Sequence, residues 1–357
     1  MGFIIPITEF GNYLLYSILV GHVALQFVPN ENKPKVSIPK PMLLLFTLGI
    51  IILSLGPIAQ TVSYFQGGVG FFLAVQSVIL DFQVGRAWIF VGLLATCLYL
   101  TILLNGSKYI QAILLLLMIL AVGYSSHVAS LSFWAGLWSH STHFLIVTLW
   151  TGILINVGWF SKEDLNWSKF LRWFTPFAVI CLIIIILSGI YLMLFIVEPK
   201  DYVKAWVLPY GQMLLLKHIS IIPVFAFAFI NGVLTKKAMK NLSFNPGPWI
   251  KGESLILLFV FYFTAVMGTL SPPHNVEFTV KSEGASKWVE WLLGKDILTT
   301  LQTHIATSFQ SELLVILSVI FLILILFSFH RKRLLPAVFF GIGFIAVLYF
   351  GLMLSLV

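Results

Sequence analysis

Three histidines, His127, His140 and His143, fall within seventeen residues in the stretch SSHVASLSFWAGLWSHSTH, which joins two long apolar segments. Imidazole is the commonest metal ligand among side chains and also holds haem iron axially. Three of the eight histidines in one short stretch therefore predict one wall of a ligand site. His140 and His143 are spaced i, i+3, which sets them on one helix face a turn apart. His218 in LLLKHIS and His274 in SPPHN join them at the same depth once the topology below is drawn. Met193, Met213 and Met267 fall in the outer halves of their segments. Thioethers select Cu(I) and imidazoles take either copper oxidation state, so a mixed His/Met lining suits copper better than magnesium or calcium. Each residue type also has a plainer use, since a membrane methionine commonly packs and an interfacial histidine commonly serves as a hydrogen-bonded filler.

Lys217 sits inside an apolar segment, where an ammonium is costly unless it pairs or snorkels. Two readings stay open. It snorkels from the outer third, or it faces the bundle interior and meets a carboxylate, for which Glu9 at the outer start of the first segment is the nearest candidate in depth. Glu253 reads as an interfacial residue at the start of the eighth segment. His22 and His330 read as structural or solvated, and His304 as part of an amphipathic loop. No Walker loop, GxSxG, HExxH or GxGxxG stands in usable context, which leaves no sign of nucleotide hydrolysis or hydrolase chemistry, and no enzyme is expected.

The elements that must position these residues follow from composition. The chain has 357 residues, 59% hydrophobic and 10% charged, with a mean hydropathy of +1.01. That leaves no room for a sizeable aqueous domain. The long apolar runs lack period-2 alternation and predict helices rather than a barrel. The fold class expected is an all-α integral membrane protein, a bundle of about ten transmembrane helices with short loops and an outer amphipathic helical segment. The ten segments are 8–28, 41–64, 86–105, 108–128, 140–160, 168–197, 211–235, 250–271, 311–329 and 334–356. Residues 69–80 are too short to span and read as a re-entrant or surface helix. Residues 286–309 mix Trp288, Trp291 and Leu292 with Lys287, Glu290, Lys295 and Asp296, a pattern suited to the headgroup layer. MGFIIPITEF lacks a basic n-region and reads as the start of a retained helix. Cys97 and Cys181 lie inside apolar segments with no CxxC spacing, so neither a disulfide nor a zinc site follows.

Orientation follows from basic residues. With the N-terminus outside, fourteen of the twenty-one Lys and Arg fall on the inner side and six on the outer, Lys217 lying within a span. The bias fits the positive-inside rule and predicts both termini outside. The net charge of +8 is thus a topology signal and not a nucleic-acid footprint. In this topology His127, His140, His143, His218 and His274 share the outer side.

The run KFLRWFTPFAVICLIIIILSGIYL, followed by YGQMLLLKHISIIPVFAFAFING, resembles the core of the CopD copper-resistance family. SHVASLSFWAGLWSHSTHFLIVTLWTG and PWIKGESLILLFVFYFTAVMGTLSPPH are similar to the corresponding helices of CopD-like proteins of Gram-positive bacteria, including the membrane part of the YcnJ type. The resemblance runs from about residue 8 to 275 and is strongest from 127 onward. It implies copper handling at the plasma membrane, usually as uptake, and falls on His127, His143, Lys217, His218 and His274. It also implies that copper arrives directly or from a separate CopC-like partner, since this chain carries no such module. The domain reading that follows is a CopD-like core over 1–275, an outer loop with an interfacial helix over 276–310, and two further helices over 311–357.

Three functions remain in view. The first is a copper transporter with a His/Met-lined site opening outward. The second is a haem-bearing cytochrome or redox protein, because imidazoles on neighbouring helices at one depth also ligate haem. The third is a copper-binding assembly factor for a membrane oxidase.

Overall fold

In hydrocarbon an unpaired backbone amide or carbonyl has no water to bond, so apolar runs of this length are stable only as helices. The computed structural model describes residues 4–162, 166–238, 244–300 and 303–357, and among them helices dominate and no strand forms. Lys240, counted above on the inner side, lies outside the described residues. The chain divides into two units, Met1–Leu192 and Met193–Val357.

The first unit comprises α1 (Ile4–Gln26), α2 (Lys40–Leu53), α3 (Leu55–Val69), α4 (Phe71–Leu80), α5 (Gln83–Leu103), α6 (Lys108–Tyr124), α7 (His127–Leu131), α8 (Phe133–Phe160) and nearly all of α9 (Trp167–Leu194). The second comprises α10 (Pro209–Phe229), a π turn at Ile230–Leu234, α11 (Thr235–Ala238), α12 (Gly247–Gly268), α13 (Val276–Glu283), α14 (Lys287–Leu293), α15 (Phe309–His330) and α16 (Leu334–Met353).

Among the described residues nine helices are long and apolar enough to cross a membrane, and they fall on nine of the ten segments read from the sequence. The protein is an all-α, multi-pass membrane protein. The segment at 108–128 is the exception. Its helix α6 has 17 residues, about 25 Å at 1.5 Å per residue, near the lower limit for a span. Ser125 and Ser126 then break it, and the Ser126 side chain caps α7 by accepting from the Ala129 amide. Residues 71–80 form the short apolar helix α4, packed through Ala74 and Val78.

Two expected boundaries move. The fifth span begins at Phe133 instead of residue 140, which sets His140 and His143 about 10 and 15 Å along α8 rather than at its start. The expected amphipathic helix over 286–309 is confined to Lys287–Leu293, because Gly294 takes the left-handed conformation at φ +65° and ends it.

The core of the first unit forms where α1 meets α8. A Cβ on Gly21 would lie 2.1 Å from the Gly152 carbonyl carbon, and one on Gly152 would lie 2.0 Å from the Ser17 carbonyl oxygen. The two backbones therefore touch, as small residues allow in membrane helices. Polar groups fill the seam. Asn156 donates from Nδ2 to the Ile18 carbonyl at 2.9 Å, and Thr151 donates to Ser17 Oγ at 3.1 Å. In contrast, α9 is the most apolar span jointly with α15, and only 6% of its apolar window is buried. A helix apolar all round with so little of its surface buried presents a face suited to lipid.

In the second unit α10 packs on α12 and α15 on α16. Trp288 Nε1 donates to the Tyr349 hydroxyl at 3.0 Å, which ties α14 to α16, and Tyr349 donates to Gln212 on α10 at 3.3 Å. The loop after α14 is clasped by Glu277, which accepts from the Thr300 hydroxyl and amide, each at 2.7 Å, and from the Thr299 hydroxyl at 2.8 Å. Those bonds, together with Lys281 at 3.0 Å, hold the carboxyl down at about 2.

Two outcomes test this packing. Gly152→Leu forces a side chain into the Ser17 backbone and should destabilise the first unit by about 1–3 kcal/mol or more, read as a lower midpoint of thermal unfolding in detergent. For the clasp, a depressed carboxyl contributes stability that is complete above the ordinary Glu value of about 4.3 and is lost as pH falls through the folded value. Protection of the Thr300 amide from hydrogen exchange should therefore fade on acidification from that value toward pH about 2. Glu277→Gln should remove that pH dependence.

Candidate metal-ligand site

The first unit holds His127, His140 and His143. His127 is the first residue of α7, exposed, and its carbonyl accepts from Ser130 Oγ at 2.6 Å. His140 and His143 share one face of α8 and are half-buried. His143 is oriented from a second helix, its Nδ1 lying 2.9 Å from Ser188 Oγ on α9. Ser188 itself donates to the Ile184 carbonyl at 2.6 Å. With that proton committed, the ring nitrogen is the donor, which places the hydrogen on Nδ1 and leaves Nε2 as the basic nitrogen of the ring. This is the second-shell arrangement that turns imidazole into a directed metal ligand. Gly189 makes room for the ring, since a Cβ there would lie 3.3 Å from His143 Cε1.

The second unit holds His218 and His274. His218 is half-buried on α10, and its Nδ1 lies 2.7 Å from the hydroxyl of Tyr202 in the loop before that helix. The rings are tilted with centroids 5.7 Å apart, and Trp206 packs edge-on against Tyr202 at 5.8 Å. Burial pushes the Tyr202 phenol up to about 12, so it stays neutral at physiological pH, and a neutral phenol can either donate to Nδ1 or accept from it. His274 is exposed between α12 and α13, just before Asn275, whose side chain caps α13. Met213 lies on α10, Met267 near the end of α12 and Met193 at the end of α9, all half-buried. The carbonyl of Met193 accepts from the amides of Ile196 and Val197.

Among the described residues no group of three or more His, Cys, Asp or Glu side chains is placed to hold a metal ion. Each unit does hold an imidazole bonded to a hydroxyl, His143 to Ser188 in the first and His218 to Tyr202 in the second. Glu9 and Lys217, read above as possible partners, lie in different units. Glu9 accepts from Tyr13 one turn along α1, and Lys217 stands beside His218 on α10 with its carbonyl accepting from Ser220 Oγ at 2.8 Å.

Glu253, read from the sequence as an interfacial residue, is sealed within the protein at 2% exposure, and Asn231 Nδ2 donates to its Oε2 at 2.7 Å. The partner groups Ser188, Tyr202 and Asn231 were all missed. Each had a signal: a Ser-Gly pair in the apolar run LSGIY, an aromatic in a polar loop, and a lone carboxamide inside a span.

A separate cavity of about 350 Å³ opens at the end of α1, lined by His22, Lys33, Lys35 and Asn166 among others. Lys33 donates to the Leu25 carbonyl and Lys108 to that of Gln26, so both cap the helix C-terminus. Burial, and then the charge of Lys108, lowers Lys33 from the usual lysine range.

Against protein families, residues 168–267 match the family described as Copper resistance protein D. The match supports a member of the CopD copper-resistance family. It runs from the start of α9 to the end of α12 and so contains Ser188, Tyr202, His218, Asn231 and Glu253. A match to that family on apolar helices supports a membrane function related to copper. Neither a curated protein nor a solved structure matches the chain.

If His143 and His218 ligate copper, their partners tune the affinity. Ser188→Ala and Tyr202→Phe should each weaken copper binding about 10–100-fold, and His143→Ala and His218→Ala should weaken it further, measured by titration of folded protein in detergent. Hydrogen-bonded fillers would behave otherwise, losing about 0.5–1.5 kcal/mol of stability with copper binding unchanged.

Proposed function

We propose that this CopD-type protein carries copper across the plasma membrane, in the direction of uptake. The observation that carries this reading is His218 held by Tyr202 inside the segment that matches the family. His143, which lies before the matched segment, offers a second oriented imidazole through its partner Ser188, which lies within it. Copper is the cargo and no chemical conversion is required of the protein. His/Met ligands suit it because imidazole and thioether bind copper well while remaining exchangeable, and transport needs release as much as capture. Both termini lie outside in this proposal, which counts α6 as a tenth, short span beside the nine longer helices, in keeping with the basic residues gathered in alternate loops. Copper reaches the protein directly or from a separate CopC-like donor.

The test is copper content in cells. Cells expressing the protein should accumulate more copper than a vector control, and His218→Ala should return the content to that of the control. A cysteine placed at Ser282 should be labelled from outside the cell and one at Lys35 only after permeabilisation. Unchanged or lowered copper content would overturn uptake, and reversed labelling would overturn the orientation.

A further inference from the structure

Glu253 is a carboxyl group on α12 with almost no access to solvent, bonded to a single neutral side chain. Several features build the place it occupies. Gly252 lets neighbouring helices close over it, since a Cβ there would lie 2.6 Å from Leu334 Cδ1 and 2.8 Å from Phe227 Cε1. Phe227, Trp249 and Phe329 pack as an aromatic group around the turn of α12 that precedes it, with Trp249 and Phe329 centroids 4.9 Å apart. Its partner Asn231 is 6% exposed and lies in the π turn Ile230–Leu234, where the helix widens. Such turns occur frequently at functional sites. Asn231 Nδ2 also donates to the Trp249 carbonyl at 3.2 Å, whereas its Oδ1 and the Thr235 hydroxyl, both buried, have no protein partner among the described residues.

The ionisable groups on elements packed against α12 are Tyr210, Lys217 and His218 on α10, Lys236 and Lys237 after the π turn, Glu312 and His330 on α15, and Tyr349 on α16. Lys251 and Tyr262 lie on α12 itself. None of these bonds to Glu253. A lysine or arginine there would hold the group as a carboxylate, and an apolar neighbour would hold it as the acid. A carboxamide can serve both states, its NH₂ donating to the carboxylate and its Oδ1 accepting from the acid. A buried carboxyl in a span with such a partner has the features of a proton relay.

We propose that Glu253 is a proton-binding site, with Asn231 as its two-state partner, and that its proton is exchanged as copper moves. The coupling rests on the transport reading above, whereas the proton site does not. The step is a simple exchange. The carboxylate takes one proton on Oε1 while Oε2 keeps the Asn231 bond, and on release that proton passes to water.

Two measurements decide it. Infrared spectra of purified protein in lipid, wild type minus Glu253→Gln, should show a carboxylic acid band that converts to carboxylate as pH is raised, and Asn231→Leu should shift its midpoint. In liposomes holding a pH-sensitive dye, copper addition should move protons with wild type and not with Glu253→Gln, while both bind copper equally. A carboxylate at every pH, or an acid band that never titrates, would overturn the proton site. Proton movement that persists in Glu253→Gln would overturn the coupling. Should wild type move no copper, the transport reading and the coupling both fall, and the infrared titration alone settles whether Glu253 exchanges a proton.

Discussion

A polar group inside a membrane span has no water to fall back on, and most of this structure is a response to that constraint. Hydroxyls solve it locally. Ser17, Thr47, Thr148, Thr175, Ser188 and Thr264 each donate to the carbonyl one turn earlier on their own helix. Groups with more capacity must look across to another helix. Asn156 bridges α8 to α1, His143 meets Ser188 on α9, and Asn231 meets Glu253 on α12. These crossings are where helices are held in register, because each lost bond would strand a buried donor or acceptor.

The same constraint orients the candidate ligands. An imidazole held at Nδ1 by a hydroxyl has a fixed ring plane, and its tautomer is fixed as well where the hydroxyl's own proton is committed elsewhere, as it is at Ser188. Ser188 and Tyr202 perform that service from elements other than the helices that carry the two imidazoles. The difference between them has a consequence. Ser188 can accept from His143 because its own proton goes to a backbone carbonyl, whereas Tyr202 remains neutral because burial raises its phenol.

The helices were legible because hydropathy and length are properties of short stretches. Nine of ten segments needed nothing more than a count of apolar residues against the thickness of hydrocarbon. The ends were less legible. Phe133 and Trp134 extend α8 beyond the expected start because aromatic residues continue a helix at the membrane boundary as readily as they end a run, and Gly294 stops α14 through a backbone conformation that hydropathy does not register. Resemblance in KFLRWF and YGQMLLLKH pointed to the CopD family, and the match at 168–267 falls on the same helices.

The sequence by itself determined an all-α membrane protein, the ligand types available to it and the family of its central segment, since each of these rests on composition or on contiguous residues. Partner choice was decided only by the tertiary structure. Glu253 sits seven residues into α12, and nothing local distinguishes a carboxyl at the interface from one sealed against Asn231. That difference depends on Gly252, which leaves room for Leu334 and Phe227 against α12, and on Asn231, which reaches Glu253 from a π turn on the neighbouring helix. His143 and Ser188 are forty-five residues apart in the chain, so their meeting is likewise a property of packing. A side chain's charge state and hydrogen-bond role depend on what stands within a few ångströms of it, and for these residues those neighbours come from another helix.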